Sequence, residues 1–224
     1  MKTKNIWAVI PAYNEEKNIS NIIKKAKKHV DNVLVVNDGS ADRTKEVSKK
    51  SGAAVISHIV NLGKGAALKT GCDYAVNSGA KFIVALDADA QHNPDNIPRF
   101  AEKLKKNDIV FSYRKTSSKM PIVLRFGNWF ISNIVWILHN VRLNDTQCGF
   151  RAFSAVAYKK IRWNASDYSM ESEMISRAGK QKLKYVQIPI ETLYSDKYKG
   201  TTVIDGMKIV FNMIWWKLFN GNNK

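Results

Sequence analysis

Asp87, Asp89 and Gln91 are the residues best placed to do chemistry: carboxylates at i and i+2 and an amide at i+4, ejected by the apolar run Phe82-Ile83-Val84-Ala85-Leu86. Such a run reads as a buried strand, and the C-terminal ends of strands are where open α/β sheets bind ligands. Hard oxygen donors at this spacing suit Mg²⁺ or Mn²⁺, ions that also hold phosphate oxygens, so the expected occupant is a diphosphate. The bland alternative is a strand that ends in a solvated Asp turn.

The elements that must position these groups alternate. Ile6 to Ile10 reads as a strand stopped by Pro11, and Ile19, Ile22, Ile23, Ala26 and Val30 fall at helical spacing. Val33 to Val36 is a second strand, ending in Asn37-Asp38-Gly39-Ser40, with a helix from Asp42 to Lys50. A strand at 53–56, a helix at 65–77, the carboxylate-bearing strand at 81–86, a helix at 95–106 and a strand at 108–113 continue the pattern, which implies a parallel sheet in an α/β fold. Beyond Tyr113 come a loop, a long aromatic-rich helix from Pro121 to Val141, loop and strand over 144–153, a helix at 170–179, a strand at 185–188 and an apolar helix at 203–219. We read 1–224 as one domain: residues 1–115 a nucleotide-binding half, 116–202 an acceptor half, and 203–224 the C-terminal helix.

Lys and Arg number 36 against 19 Asp and Glu, a net charge of +17 that attracts anions such as phosphorylated metabolites, anionic lipid or nucleic acid. Without an arginine-rich tail, zinc-finger spacing or helix-turn-helix pattern, nucleic acid is not expected as a partner. Two cysteines, Cys72 and Cys148, form neither a disulfide framework nor a metal spacing, and the start Met1-Lys2-Thr3-Lys4 leads into a strand, so a reducing cytoplasm is the default. No apolar run reaches the roughly 18 residues of a membrane span.

Taken in order, Pro11-Ala12-Tyr13-Asn14-Glu15-Glu16, Val36-Asn37-Asp38-Gly39-Ser40, Asn61-Leu62-Gly63-Lys64-Gly65, Asp87-Ala88-Asp89 and Asp145-Thr146-Gln147-Cys148-Gly149-Phe150-Arg151 resemble the family 2 glycosyltransferases, and within them the polyprenyl-phosphate sugar transferases of the dolichyl-phosphate mannose synthase type. The resemblance implies a GT-A-like nucleotide-sugar-binding fold with a mostly parallel central sheet. It also implies inverting transfer of a hexose from GDP-mannose or UDP-glucose to a polyprenyl or dolichyl phosphate, dependent on Mg²⁺ or Mn²⁺. On that reading Pro11 holds the loop after strand one open, Tyr13 covers the base, Glu15 accepts its N–H groups, and Asp38 accepts from base or ribose; helix capping is the alternative for Glu15 and Asp38. Gly63-Lys64-Gly65 brings backbone and a cation close to the anionic donor before a helix N-terminus. Asp89 and Gln91 are the expected direct metal ligands, with Asp87 shared between metal and ribose.

A lipid monophosphate is largely a dianion near neutral pH and is already nucleophilic, so the site needs arginine clamps rather than a strong base. By resemblance those are Arg114 and Arg125, with Lys199 in the segment Tyr198-Lys199-Gly200-Thr201-Thr202; the family often has arginine where Lys199 stands and serine where Asn128 stands. Asp145 either orients the acceptor, acts as base toward an alcohol, or serves structurally as a cap or an ion pair with Arg151 or Arg177, and Glu171 and Glu173 share those alternatives.

A bilayer acceptor calls for peripheral contact at the cytoplasmic membrane face. The final helix, with adjacent Trp215 and Trp216 followed by Lys217, is the expected interfacial device. Two other functions stay open: transfer to a saccharide or protein hydroxyl, and a non-catalytic basic adaptor for membrane or nucleic acid. Oligomeric state is not legible.

Overall fold

The computed structural model describes residues 5–114 and 132–191. Seven strands, β1 (Ile6–Ala12), β2 (Asn32–Asp38), β3 (Ala54–His58), β4 (Phe82–Ala85), β5 (Ile109–Arg114), β6 (Arg151–Ser154) and β7 (Tyr185–Ile190), form one sheet in the order β3-β2-β1-β4-β6-β5-β7. The helices are α1 (Ile19–Ala26), α2 (Thr44–Lys50), α3 (Lys64–Asn77), α4 (Ile97–Leu104), α5 (described over 132–139), α6 (Ala155–Ile161) and α7 (Met170–Lys180).

The apolar runs become strands because both faces of the sheet are covered. Val9, Ile83 and Phe111 face one core with Leu68, Trp163 and Met174, whereas Ile10, Val84 and Val110 face the other with Ile23, Ile97 and Phe100. A strand buried on both faces has no polar side to alternate with, hence the near-continuous Val/Ile/Leu pattern. At Gly71 a Cβ would strike the side chains of Val9 and Val36, so glycine is what lets α3 sit directly on β1 and β2.

Chain order reverses at the centre. β1 runs outward to β2 and β3, and the chain then crosses back to place β4 on the other side of β1. Such a switch point opens a crevice at the C-terminal ends of the two central strands. The segments after β1 (Tyr13–Glu15) and after β4 (Asp87–Gln91) meet there.

One sequence expectation is corrected. Pro11 does not stop the first strand: β1 continues to Ala12, with Pro11 opposite Val36. In a parallel strand the N–H and C=O of one residue face the same neighbour; Val9 faces β4, accepting from Leu86 N, so the N–H that Pro11 lacks would fall past the end of the β4 ladder at Ala85. The sheet is mostly parallel, as the resemblance implies. β6 is antiparallel to β4 and β5, and α6, absent from the sequence reading, follows it. Because β6 runs downward, the loop 145–150 before it lies at the cavity end of the sheet.

The C-terminal helix at 203–219, the segment 198–202 and most of the helix expected at 121–141 lie outside the described residues; the described part of the latter, α5, buries Val135 and His139.

Candidate active site

The crevice is a cavity of about 530 Å³ lined on one side by Pro11, Tyr13, Glu15, Asp38 and Asn61, and on the other by Asp89, His92, Arg114, Gln147 and Tyr168, with Lys64, Asp87 and Glu171 also in its wall. The described sequence candidates therefore gather in one place, Asp145 through its bond to Arg114 rather than in the lining, while Arg125 and Lys199 lie outside the described residues.

On the first side the backbone is tied down. Asp38, at the end of β2, accepts from Leu62 N (3.0 Å) and Gly63 N (2.9 Å) and pairs with His58 Nδ1 at 2.7 Å, while His58 Nε2 meets Thr70 Oγ1 at 3.0 Å. Its carboxylate thus holds the 61–63 loop in shape. Asn14, at φ +54°, accepts from Ala41 N through Oδ1 and donates its own N–H to Ser40 Oγ. Glu15 donates its N–H to Thr44 Oγ1, accepts from Asn18 Nδ2, and its carbonyl receives the first N–H groups of α1.

The glycines around Lys64 approach the protein itself. Gly65 N and Ala66 N donate to the Ser166 carbonyl at 2.7 and 3.1 Å, and Trp163 Nε1 donates to Gly65 O. A Cβ on Gly63 would strike Ser166 O, and one on Gly65 would lie 2.5 Å from Ala165 O. The expectation that this backbone faces an anionic donor is thus corrected: the first N–H groups of α3 serve the 164–168 loop, and the same loop is fixed from its other end by Glu173, which accepts from Asn164 N and Ala165 N.

Lys64 itself reaches the cavity. Its Nζ lies 2.8 Å from Asp87 Oδ1 and 3.0 Å from Glu171 Oε1, with the Tyr168 ring centroid at 5.4 Å. Burial opposes its charge, but Asp87 and Glu171 outweigh that and raise its pKa. Burial likewise works against the Asp87 charge, which Lys64, with Arg151, overcomes to hold the carboxyl below its ordinary range. A Cβ on Gly149 would collide with the Asp87 carboxylate, so the glycine of the 145–151 loop makes room for it.

Asp89 differs from its neighbour. Its Oδ1 accepts from Gln91 N at 3.0 Å, and burial, with the adjacent Asp87 charge, raises its pKa. Two half-buried carboxylates one residue apart, with one answered by Lys64 and the other held above its ordinary range, form a donor set that a divalent cation would relieve. Among the described residues no group of three His, Cys, Asp or Glu is arranged to hold a metal. The residues present fit an ion taken by Asp87 and Asp89, with the Gln91 amide beside them, and completed by oxygens of a ligand, as Mg²⁺ usually is.

Asp145 is bound to neither Arg151 nor Arg177. It grips Arg114 through both oxygens, Nε to Oδ2 at 2.6 Å and Nη2 to Oδ1 at 3.2 Å, and accepts from Gln147 N. Arg177 pairs with Glu173. Arg151 is buried without a carboxylate: it donates to the carbonyls of Cys148 (2.8 Å), Thr146 (2.5 Å) and Glu171 (3.1 Å), stapling the 145–150 loop to α7. Burial lowers its pKa, and the guanidinium lies over the Phe111 ring. Cys148 is buried and its thiol is pushed up to about 12, first by burial and then by Asp145, which suits a packed group rather than a nucleophile.

Three cavity residues escaped the sequence reading. Tyr168, 47% exposed, lies in none of the motifs, and Gln147 carried no signal beyond its motif neighbours. His92 stands in no metal spacing with another His or Cys, and its place three residues after Asp89 was the available clue.

Residues 7–161 match the model of Glycosyl transferase family 2. The UDP-N-acetylglucosamine–dolichyl-phosphate N-acetylglucosaminyltransferase of Methanococcus voltae is 33% identical, over 97% of this chain and 98% of its own. The undecaprenyl-phosphate mannosyltransferase of Micrococcus luteus is 27% identical over 95% and 94%. Among solved structures, glucosyl-3-phosphoglycerate synthase from Mycobacterium tuberculosis, crystallised with Mn²⁺, uridine diphosphate and phosphoglyceric acid, superposes with a TM-score of 0.75 at 18% identity over 96% of this chain and 78% of that one, a likeness of fold. With the motifs, the topology and a match over more than half its length in agreement, the chain belongs to glycosyl transferase family 2, and within it is most like the polyprenyl-phosphate sugar transferases.

Proposed function

We propose that this enzyme moves a hexose from a nucleotide sugar to a polyprenyl phosphate at the cytoplasmic membrane face, with inversion. The observation that carries the reading is that Asp87 and Asp89, Lys64 with Glu171, and Arg114 all line one cavity at the switch point of the sheet, with Asp145 bound to Arg114. The names of the relatives support a lipid-phosphate acceptor and leave the sugar open, among N-acetylglucosamine, mannose and glucose.

Residues 1–115 hold the donor: Pro11, Tyr13 and Glu15 border the base, the 61–63 loop shaped by Asp38 borders the ribose, and Asp87, Asp89 and Gln91 face the diphosphate. A Mg²⁺ or Mn²⁺ held there supplies neutralisation of the departing nucleoside diphosphate. Lys64 carries a permanent cation between Asp87 and Glu171 and can turn it toward the phosphates. On the acceptor side Arg114, aligned by Asp145, grips the incoming phosphate, with Arg125 and Lys199 as further clamps, so that two anions are held for in-line attack.

The carboxylates also favour a phosphate over an alcohol. An alcohol needs a general base, yet Asp145 is bonded to Arg114, Glu171 to Lys64, and Glu173 to two backbone N–H groups and Arg177. A lipid phosphate needs none.

Among the described residues no helix is long and apolar enough to cross a membrane. Trp136 and Ile137 on α5 are 46% and 71% exposed, and with the aromatic segment 203–219 they are the proposed contact with the bilayer surface. Removal of residues 205–224 should then reduce co-sedimentation with anionic liposomes.

The central test is incubation with Mn²⁺ or Mg²⁺, a short polyprenyl phosphate and, in turn, UDP-glucose, UDP-N-acetylglucosamine and GDP-mannose. A glycosylated lipid phosphate that disappears with EDTA establishes the reaction and names the donor. Turnover only with a hydroxyl acceptor would replace this reading.

A further inference from the structure

Two polar atoms in the cavity wall have no partner in the protein. Among the described residues that line it, His92 Nδ1 and Gln147 Oε1 are sealed from solvent and make no hydrogen bond, and His92 as a whole is 6% exposed. A buried polar atom left unsatisfied costs about 1–3 kcal/mol. Two of them in one ligand cavity mark places where the partner arrives with the ligand.

Their polarity follows from the bonds behind them. Ser112 Oγ lies 2.5 Å from the Phe150 carbonyl, which has no proton to give, so the serine places its single hydrogen there. Cys148 Sγ, 2.9 Å from Ser112 Oγ, must then donate its own hydrogen to that oxygen. With its proton committed, the sulfur faces His92 Nε2 at 3.8 Å only as an acceptor. The imidazole therefore carries its N–H on Nε2, and Nδ1 is a bare lone pair. The Gln147 amide points the same way. Its Nε2 faces Ser172 Oγ at 3.4 Å and Thr146 Oγ1 at 3.5 Å, hydroxyls that could serve either end of the amide, and in the orientation present Oε1 is the unpartnered atom.

Bare acceptors do not suit a phosphate, whose oxygens also accept; they suit hydroxyl groups. In a nucleotide sugar the transferred ring is rich in hydroxyls and lies beyond the diphosphate. We infer that His92 Nδ1 and Gln147 Oε1 form a hydroxyl-recognition subsite for the donor's sugar ring, with Ser112 and Cys148 as positioning residues that fix the imidazole tautomer. The inference rests on the nucleotide-sugar reading above and adds to it the residues that read the sugar.

The test separates sugar from nucleotide. Titration calorimetry of the full chain with Mn²⁺ compares UDP with UDP-glucose and UDP-N-acetylglucosamine, and GDP with GDP-mannose. His92→Phe and Gln147→Leu should each reduce the preference for sugar nucleotide over bare nucleotide by about tenfold, with bare-nucleotide affinity changed by less than about twofold. His92→Asn, whose amide oxygen can replace Nδ1, should keep most of the preference. An equal loss for bare nucleotide, as expected if these atoms hold metal-bound water, overturns the inference, as does an unchanged preference in both variants. Failure of the wild-type protein to bind any nucleotide with metal would remove the transferase reading itself. Long-range ¹H–¹⁵N spectra give an independent readout: His92 should be protonated on Nε2 alone and become a tautomer mixture in Cys148→Ala, whereas a ring protonated on Nδ1 in the wild-type protein overturns the relay.

Discussion

The two walls of the cavity are finished to different degrees. On the side of β1 and β2, Asp38 is saturated by two backbone N–H groups and His58, and Asn14 and Glu15 are bonded to the turn that leads into α2. On the side of β4 and the 145–151 loop, Asp89 sits above its ordinary carboxylate range through burial and the Asp87 charge, and His92 and Gln147 each keep an orphaned atom. One wall is built before a ligand arrives and the other waits for the ligand to complete it. Such a division fits a transferase in which the nucleotide is an anchor and the reacting centre carries the changing charge.

The sharpest way to break this comparison is at Asp89. If the unfinished wall is completed by a cation and a diphosphate, Asp89→Ala should cut turnover by at least about a hundredfold and weaken Mn²⁺ binding, measured by product mass spectrometry and by Mn²⁺ titration. The melting temperature should hold or rise, since the substitution removes one of two repelling half-buried charges. Wild-type turnover in this variant would move the diphosphate site away from β4.

Arg114 and Asp145 probe the same wall. If Asp145 works only by aligning Arg114, then Arg114→Ala and the double variant Arg114→Ala/Asp145→Ala should be equally poor in kcat/KM, each down by about 10²-fold, with a coupling of about 1–3 kcal/mol in the cycle. Additive losses would give Asp145 a separate role, such as the base that an alcohol acceptor requires.

How far the sequence foretold these walls follows from range. β1, β2 and β4 were legible because strands buried on both faces are uninterrupted apolar runs, and their polar ends fell where the crevice opens. β6 was harder: Arg151-Ala152-Phe153-Ser154 is four residues long and begins with a charge, and strand direction is a matter of topology that no local pattern encodes. α6 was missed because it is seven residues with three buried positions. The partners of charged groups were illegible for the same reason. Arg114 meets Asp145 across 31 positions and Lys64 meets Glu171 across 107, and neither distance leaves a trace in spacing. Arg125, Lys199 and the C-terminal helix stand on the resemblance and the residue pattern alone.

The finished wall is tested by Asp38→Asn. Loss of the charge that orients Leu62 N, Gly63 N and His58 should destabilise the fold by about 1–3 kcal/mol and expose the 59–63 loop to proteolysis, with nucleotide affinity falling in step. A large drop in nucleotide affinity with an unchanged urea midpoint would show Asp38 touching the ligand as its main task, and the two walls would then be alike.

A distant ion pair supplies the smallest effect and the control for all of these. Asp73 on α3 is gripped by Arg162 through both oxygens, at 2.9 and 2.8 Å, and by Tyr158 Oη at 2.7 Å. Burial works against its charge, but the hydrogen bonds from Arg162 and Tyr158 outweigh it and hold the carboxyl below its ordinary 3.8. A pKa lower in the folded than in the unfolded chain means that the unfolded chain binds more protons in between. The pair therefore stabilises above 3.8, and that contribution is lost as the pH falls through the folded-state value. With the Asp73 and Arg162 side chains 33% and 45% exposed, solvent screens much of it. Asp73→Asn should lower stability near neutral pH by about 1 kcal/mol or less, and the gap from wild type should close in urea melts carried below 3.8. Sugar-nucleotide affinity should not move; if it does, α3 passes strain from this pair to Lys64 at its other end, and the two walls of the cavity are not independent of the scaffold behind them.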